Sequence, residues 1–187
     1  MRFLAGGHLT KRNVLKRWGL AAAVMLAAGA GLAAVVPADK VDGAGAFERL
    51  KALEGTWAAA GPEDKRATST FELAGNGTVL IEHYRNPAMP GGGHMLTAYH
   101  LDGPELVLTH YCIAKNQPTL RVERFDPAAG EMQFEFVRAS NLSSPSAGHM
   151  RRAKYRIDDR DHFMTEWEFF EKGKRTMTET ETFTRVK

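Results

Sequence analysis

From Gly55 onward the chain falls into strand-length runs that leave no room for a long helix. The runs are Gly55–Ala60, Ala67–Leu73, Val79–Arg85, His94–Leu101, Glu105–Cys112, Leu120–Phe125, Met132–Arg138, His149–Ile157, Phe163–Phe170 and Thr176–Arg185. Between them stand turn formers: Gly75-Asn76-Gly77, Pro87 to Gly93, Asp102-Gly103-Pro104, Asp126 to Gly130, Asn141 to Gly148, Asp158 to Asp161 and Lys172-Gly173. Most separators are short, so consecutive runs pair as antiparallel hairpins. A meander of about ten strands rarely stays flat, because strand twist and the cost of open edges favour closure. The predicted fold is therefore all-β, an antiparallel up-and-down β-barrel, with a two-sheet sandwich as the alternative. Helical spacing survives only in Ala46–Leu53, where Phe47, Leu50 and Leu53 share a face and Gly55 ends the run. One short N-terminal helix is expected there.

What precedes that helix has a different character. Arg2, Lys11, Arg12, Lys16 and Arg17 are followed by an uncharged run, Trp18 to Val36, and then by Val36-Pro37-Ala38. A basic head, an apolar middle and a small-residue exit are the parts of a secretion signal, so residues 1–38 are expected to be a signal peptide. The alternative is an uncleaved membrane anchor, since a helix of this length rises about 28 Å. Residues 39–45 are polar and small and read as a linker, and 46–187 as the barrel domain. The expected location is the periplasm or the exterior, with membrane contact only through an uncleaved leader.

Removing the leader changes the charge argument. It holds five of the 25 Lys and Arg and none of the 22 Asp and Glu, which leaves 20 basic against 22 acidic residues. The basic balance of the whole chain belongs to the leader, so no nucleic-acid partner is expected. The single cysteine, Cys112, rules out an internal disulfide, and stability has to come from packing and the sheet.

Alternation along the runs indicates which side chains face inward. Phe163, Thr165, Trp167 and Phe169 share one face. In the last run Met177, Glu179, Glu181 and Phe183 oppose Thr176, Thr178, Thr180 and Thr182, and neither set is fully apolar. A barrel with a partly wet interior or a binding cavity tolerates such a strand. Around Asp102-Gly103-Pro104, either two-residue turn places Thr97, Tyr99, Leu101, Leu106, Leu108, His110 and Cys112 on one face. That face is the more apolar and is expected to point inward, which aims Tyr99, His110 and Cys112 at the lumen. Asn116, Gln117 and Arg121 are expected to cap its mouth. The bland reading of the same residues is a hydrogen-bonded structural histidine and a cysteine acting as a small hydrophobe.

Other chemistry is poorly supported. His110 and Cys112 supply two metal ligands at most, and no C-x-x-C-H motif marks haem attachment. Gly91-Gly92-Gly93 precedes a strand and reads as a flexible loop rather than a phosphate cradle. Glu179 and Glu181 read as solvent-facing rather than as an acid–base pair.

The order helix, Gly55-Thr56-Trp57, antiparallel strands and a closing Phe183-Thr184-Arg185 resembles the calycin or lipocalin-like group. The segments Leu108-Thr109-His110-Tyr111-Cys112 and Asn116-Gln117-Pro118 look like those of exported bacterial lipocalin-like proteins with no established activity. The resemblance implies that Trp57 packs under Arg185 and closes one end of the barrel. The functional expectation is an exported binding protein for a small, mostly apolar molecule held in the lumen by Tyr99, His110, Cys112, Asn116, Gln117, Arg121 and Trp167. No cofactor and no catalytic residue is assigned. The alternatives are a haem- or metal-dependent redox protein or enzyme using His110 and Cys112, and a structural barrel without ligand.

Overall fold

The computed structural model describes residues 41–62 and 66–187; the expected signal peptide, residues 1–38, lies outside the described residues. After the helix α1 (Gly43–Lys51) come ten strands: β1 (Gly55–Ala59), β2 (Thr68–Ala74), β3 (Val79–Arg85), β4 (Met95–Asp102), β5 (Glu105–Tyr111), β6 (Gln117–Asp126), β7 (Glu131–Ser140), β8 (His149–Ile157), β9 (His162–Glu171) and β10 (Lys174–Arg185). Each pairs antiparallel with its neighbours in sequence, and β1 pairs with β10, so the sheet closes into a ten-stranded up-and-down barrel. This architecture is compatible with a calycin-like fold.

The turns behave as their residues dictate. Lys172 and Gly173 both have positive φ (52° and 74°) and join β9 to β10 with Glu171 opposite Lys174, the geometry a two-residue hairpin needs. Between β4 and β5 the turn is Gly103-Pro104, with Gly103 at φ 58°, and it sets Tyr99 opposite Leu108. Register shifts in the β6–β7, β8–β9 and β9–β10 ladders let the sheet curl into a barrel.

Two boundaries differ from expectation. The helix begins at Gly43, inside the expected linker, because Asp42 Oδ1 accepts from the Gly45 backbone N–H at 2.8 Å and caps the first turn. Gly43 packs so closely on the Pro104 carbonyl that any side chain there would collide with backbone. Strand β6 begins at Gln117 rather than Leu120 and includes Pro118, which pairs with Ala139 of β7. Its ladder with β5 spans only Val107–Thr109 against Thr119–Arg121, so the proline, which has no N–H, sits beyond the last paired residue on that side.

The helix and the turns at one end close the barrel. Ala46, Phe47, Leu50 and Leu53 are buried and join the core formed by Trp57, Phe71, Leu80, Leu106, Leu108, Leu120, Phe134, Phe163 and Phe183. The Phe163 ring stacks on Phe183 at 4.7 Å and meets Trp57 edge-on at 4.8 Å. Arg185 lies over the Trp57 indole at 4.1 Å. Its guanidinium donates to the carbonyls of Ala52, Glu54 and Arg160 at 2.7–2.8 Å, and Trp57 Nε1 donates to the Leu53 carbonyl. The stack of Trp57 and Arg185 thus seals this end as the resemblance implied. The opposite end is open. Its rim is built by the β3–β4, β5–β6 and β7–β8 loops and the β9–β10 turn.

Candidate functional site

The interior changes character from the closed end to the open one. Above the aromatic core, buried polar groups converge. Glu82 on β3 is 5% exposed and accepts from Ser69 Oγ (2.7 Å) and Tyr99 Oη (2.7 Å), and Tyr99 shares a further hydrogen bond with Tyr155 (2.5 Å). Burial raises the Glu82 pKa, and the surrounding hydroxyls oppose that shift. The Tyr99 and Tyr155 hydroxyls are pushed up by burial and by the Glu82 charge.

Directly above lies a chamber of about 30 Å³, lined by Glu82, Tyr84, Thr97, His110, Thr165, Trp167, Glu179 and Glu181 among others. That is room for about one or two waters. His110 Nδ1 lies 3.0 Å from Thr97 Oγ1, and the imidazole packs against Trp167 with ring centres 4.8 Å apart. His110 Nε2 is buried without a hydrogen-bond partner. Burial lowers the His110 pKa to about 4, so the ring is neutral at neutral pH. Tyr84 Oη donates to Glu181 Oε1 at 3.1 Å, and burial together with the Glu179 charge raises Glu181 to about 7.

The chamber opens into a vestibule of about 470 Å³ at the open end, bounded by Met89, Pro90, Cys112, Ile113, Phe169 and Met177. Met95, Met150 and Glu179 line both spaces and form the passage between them. Methionine-rich walls are flexible and polarizable, and they adapt to ligands of irregular shape. Most of the free volume therefore lies at the mouth, while the lumen below is filled by side chains.

The residues singled out from the sequence separate into groups. His110 and Trp167 line the chamber, and Cys112 lines the vestibule, where burial raises its thiol pKa. Tyr99 points inward as expected but sits below the chamber, under Glu82. Asn116 is buried at the rim and donates to the Gly148 carbonyl at 2.8 Å, tying the β5–β6 loop to the β7–β8 loop. Gln117 does not line the chamber or the vestibule; its Oε1 accepts from Ser140 and Asn141. Arg121 does not either. Leu120 is fully buried, so its neighbour points outward, where it pairs with Glu105 and Glu123. Leu101, expected inside, is 37% exposed because it lies where β4 runs past the core. Glu179 and Glu181, expected in solvent, face inward with Phe183, which is buried.

Glu82 and Tyr84 were not found from the sequence. Their inward parity depends on the β3–β4 register, which pairs Glu82 with Thr97, and the Pro87–Gly93 loop is too long to reveal it. For Glu179 and Glu181 a signal existed: they share a face with Phe183. Among the described residues no three His, Cys, Asp or Glu side chains are grouped so as to hold a metal ion. No family model matches the chain, and no curated protein matches it by sequence.

Proposed function

We propose that this protein is an exported small-molecule carrier of the lipocalin-like group, with the apolar body of its ligand in the methionine-lined vestibule and a polar end in the chamber. The observation that carries this reading is His110 Nε2, a buried polar atom without a partner, at the wall of a chamber that opens onto a large apolar recess. An unpaired buried nitrogen costs about 1–3 kcal/mol, a cost that a ligand or a bound water removes. The apolar recess with few convergent polar groups is the usual composition of a small-molecule site. The leader supports export, and the closed end directs any ligand to the opposite mouth.

The test uses the full chain and the neutral apolar dye N-phenyl-1-naphthylamine. The dye is expected to bind with enhanced fluorescence, and Met150→Trp, which narrows the passage, is expected to weaken binding about tenfold or more. Native mass spectrometry of the purified protein is expected to show a co-purified small molecule. Absence of both dye uptake and a co-purified ligand overturns the reading in favour of a filled structural barrel.

A further inference from the structure

The chamber is rich in acceptors and poor in donors. Thr97 Oγ1 lies 3.0 Å from His110 Nδ1. In the tautomer that carries the ring proton on Nδ1, the Thr97 oxygen accepts from His110 Nδ1–H. The lone pair of Nε2 then faces the chamber. Glu181 and Glu179 add carboxylate oxygens on the β10 side. The Tyr84 hydroxyl is already committed to Glu181, and Asn86 Nδ2 donates to it in turn. Among the described residues lining the chamber there is no Lys or Arg. Three glutamates and a neutral imidazole therefore share a largely enclosed space without a cation. The free volume of about 30 Å³ admits only a small head, whereas the vestibule accommodates a body many times larger.

We infer that the ligand is an amphipathic amine, with its protonated amino group held by His110 Nε2, Glu181 and Glu179 and its apolar body in the vestibule. This deepens the carrier reading and rests on it. An ammonium group supplies three donors to three acceptors and compensates the carboxylates that burial leaves unpaired. It also relates binding to pH. The groups facing Glu181 are Glu179 on its own strand, Tyr84 and Glu82 from β3 and His110 from β5; Thr165 and Trp167 of β9 carry no charge. Glu181 titrates at about 7, so amine binding strengthens as pH rises through that value and the carboxylate forms.

The test compares three ligands of equal chain length, decylamine, 1-decanol and decanoate, by calorimetric titration of the full chain. At about pH 8 decylamine is expected to bind at least tenfold more tightly than decanol, and decanoate more weakly than either. The preference is expected to shrink by up to about tenfold per pH unit below 7. Glu181→Gln keeps shape and packing; it is expected to lower amine affinity about tenfold, flatten its pH dependence and change decanol affinity far less. Decanol or decanoate binding as tightly as decylamine overturns the amine assignment while the carrier reading stands. Failure of all three ligands and of the naphthylamine dye overturns both. The wild-type pH series alone decides the matter if Glu181→Gln does not fold.

Discussion

Replacing Arg185 by Met tests how much the seal at the closed end contributes. The methionine keeps an apolar stem over Trp57 but removes the guanidinium, whose three donated bonds run to the carbonyls of Ala52, Glu54 and Arg160. The side chain is 23% exposed, so water replaces part of what is lost. Taking about 1 kcal/mol for each bond in such a setting, below the range for fully buried charged donors, gives about 3 kcal/mol. Loss of the cation over the indole ring adds about 0.5–1 kcal/mol. The expected destabilisation is about 3–4 kcal/mol, or a fall in Tm of about 10 °C for a domain of this size. Urea denaturation of wild type and variant, followed by Trp fluorescence, measures it directly. Arg185→Lys keeps the charge but not the planar fork, and is expected to lose about 2 kcal/mol. A loss below about 1 kcal/mol for Arg185→Met, at unchanged m value, would refute the assignment of the seal to these bonds.

Four further outcomes concern other parts of the barrel. Phe163→Ala removes the ring shared by Trp57, Phe71 and Phe183 and is expected to cost about 3–5 kcal/mol in the same denaturation experiment. His110 titrates at about 4 in the fold against 6.5 ordinarily, so the unfolded chain takes the proton first and stability is lost as pH falls through that window; His110→Gln is expected to remove this loss in urea titrations across pH. Glu181 has the opposite sign. Its raised pKa contributes stability that is complete below 4.5 and lost as pH rises to about 7, so Glu181→Gln is expected to be the more stable protein at about pH 8, by about 1 kcal/mol after solvent screening. Burial raises the Cys112 thiol pKa, and alkylation by iodoacetamide at neutral pH, read by mass spectrometry, is expected to be about tenfold slower than that of free cysteine.

Where turns are short, the sequence carries parity as well as strand positions. Gly103-Pro104 links β4 to β5 with an even offset, and this suffices to send Tyr99, Leu106, Leu108 and His110 inward. Where a loop is long, parity has to come from polarity, and polarity misleads at a wet site. Glu82 lies within an alternation whose two sides, Leu80-Glu82-Tyr84 and Val79-Ile81-His83, look equally apolar; only its pairing with Thr97 shows it turned inward. Glu179 and Glu181 look like solvent residues, but the backbone parity that buries Phe183 turns them inward too. For Arg121 the neighbour Leu120 held the information, since a fully buried leucine sends the next residue outward. The small size of the chamber could not be read at all, because it depends on how the Tyr99, Tyr155 and Trp167 rings fill the space between strands.

The pairing of β1 with β10 involves only Trp57–Ala59 against Phe183–Arg185, yet it joins residues separated by nearly the whole domain. Such a contact has the largest loop-closure entropy in the molecule, which makes it a late and slow event in folding. Until it forms, the nascent sheet has two free borders, and the β10 border is twelve residues long. β1 covers only the last three residues of that border, so among the described residues Glu179 and Glu181 lie beside backbone that has no β1 partner in the closed barrel either. Negative charge there discourages another chain from adding to the margin, so the carboxylates of the chamber wall also guard the sheet against aggregation.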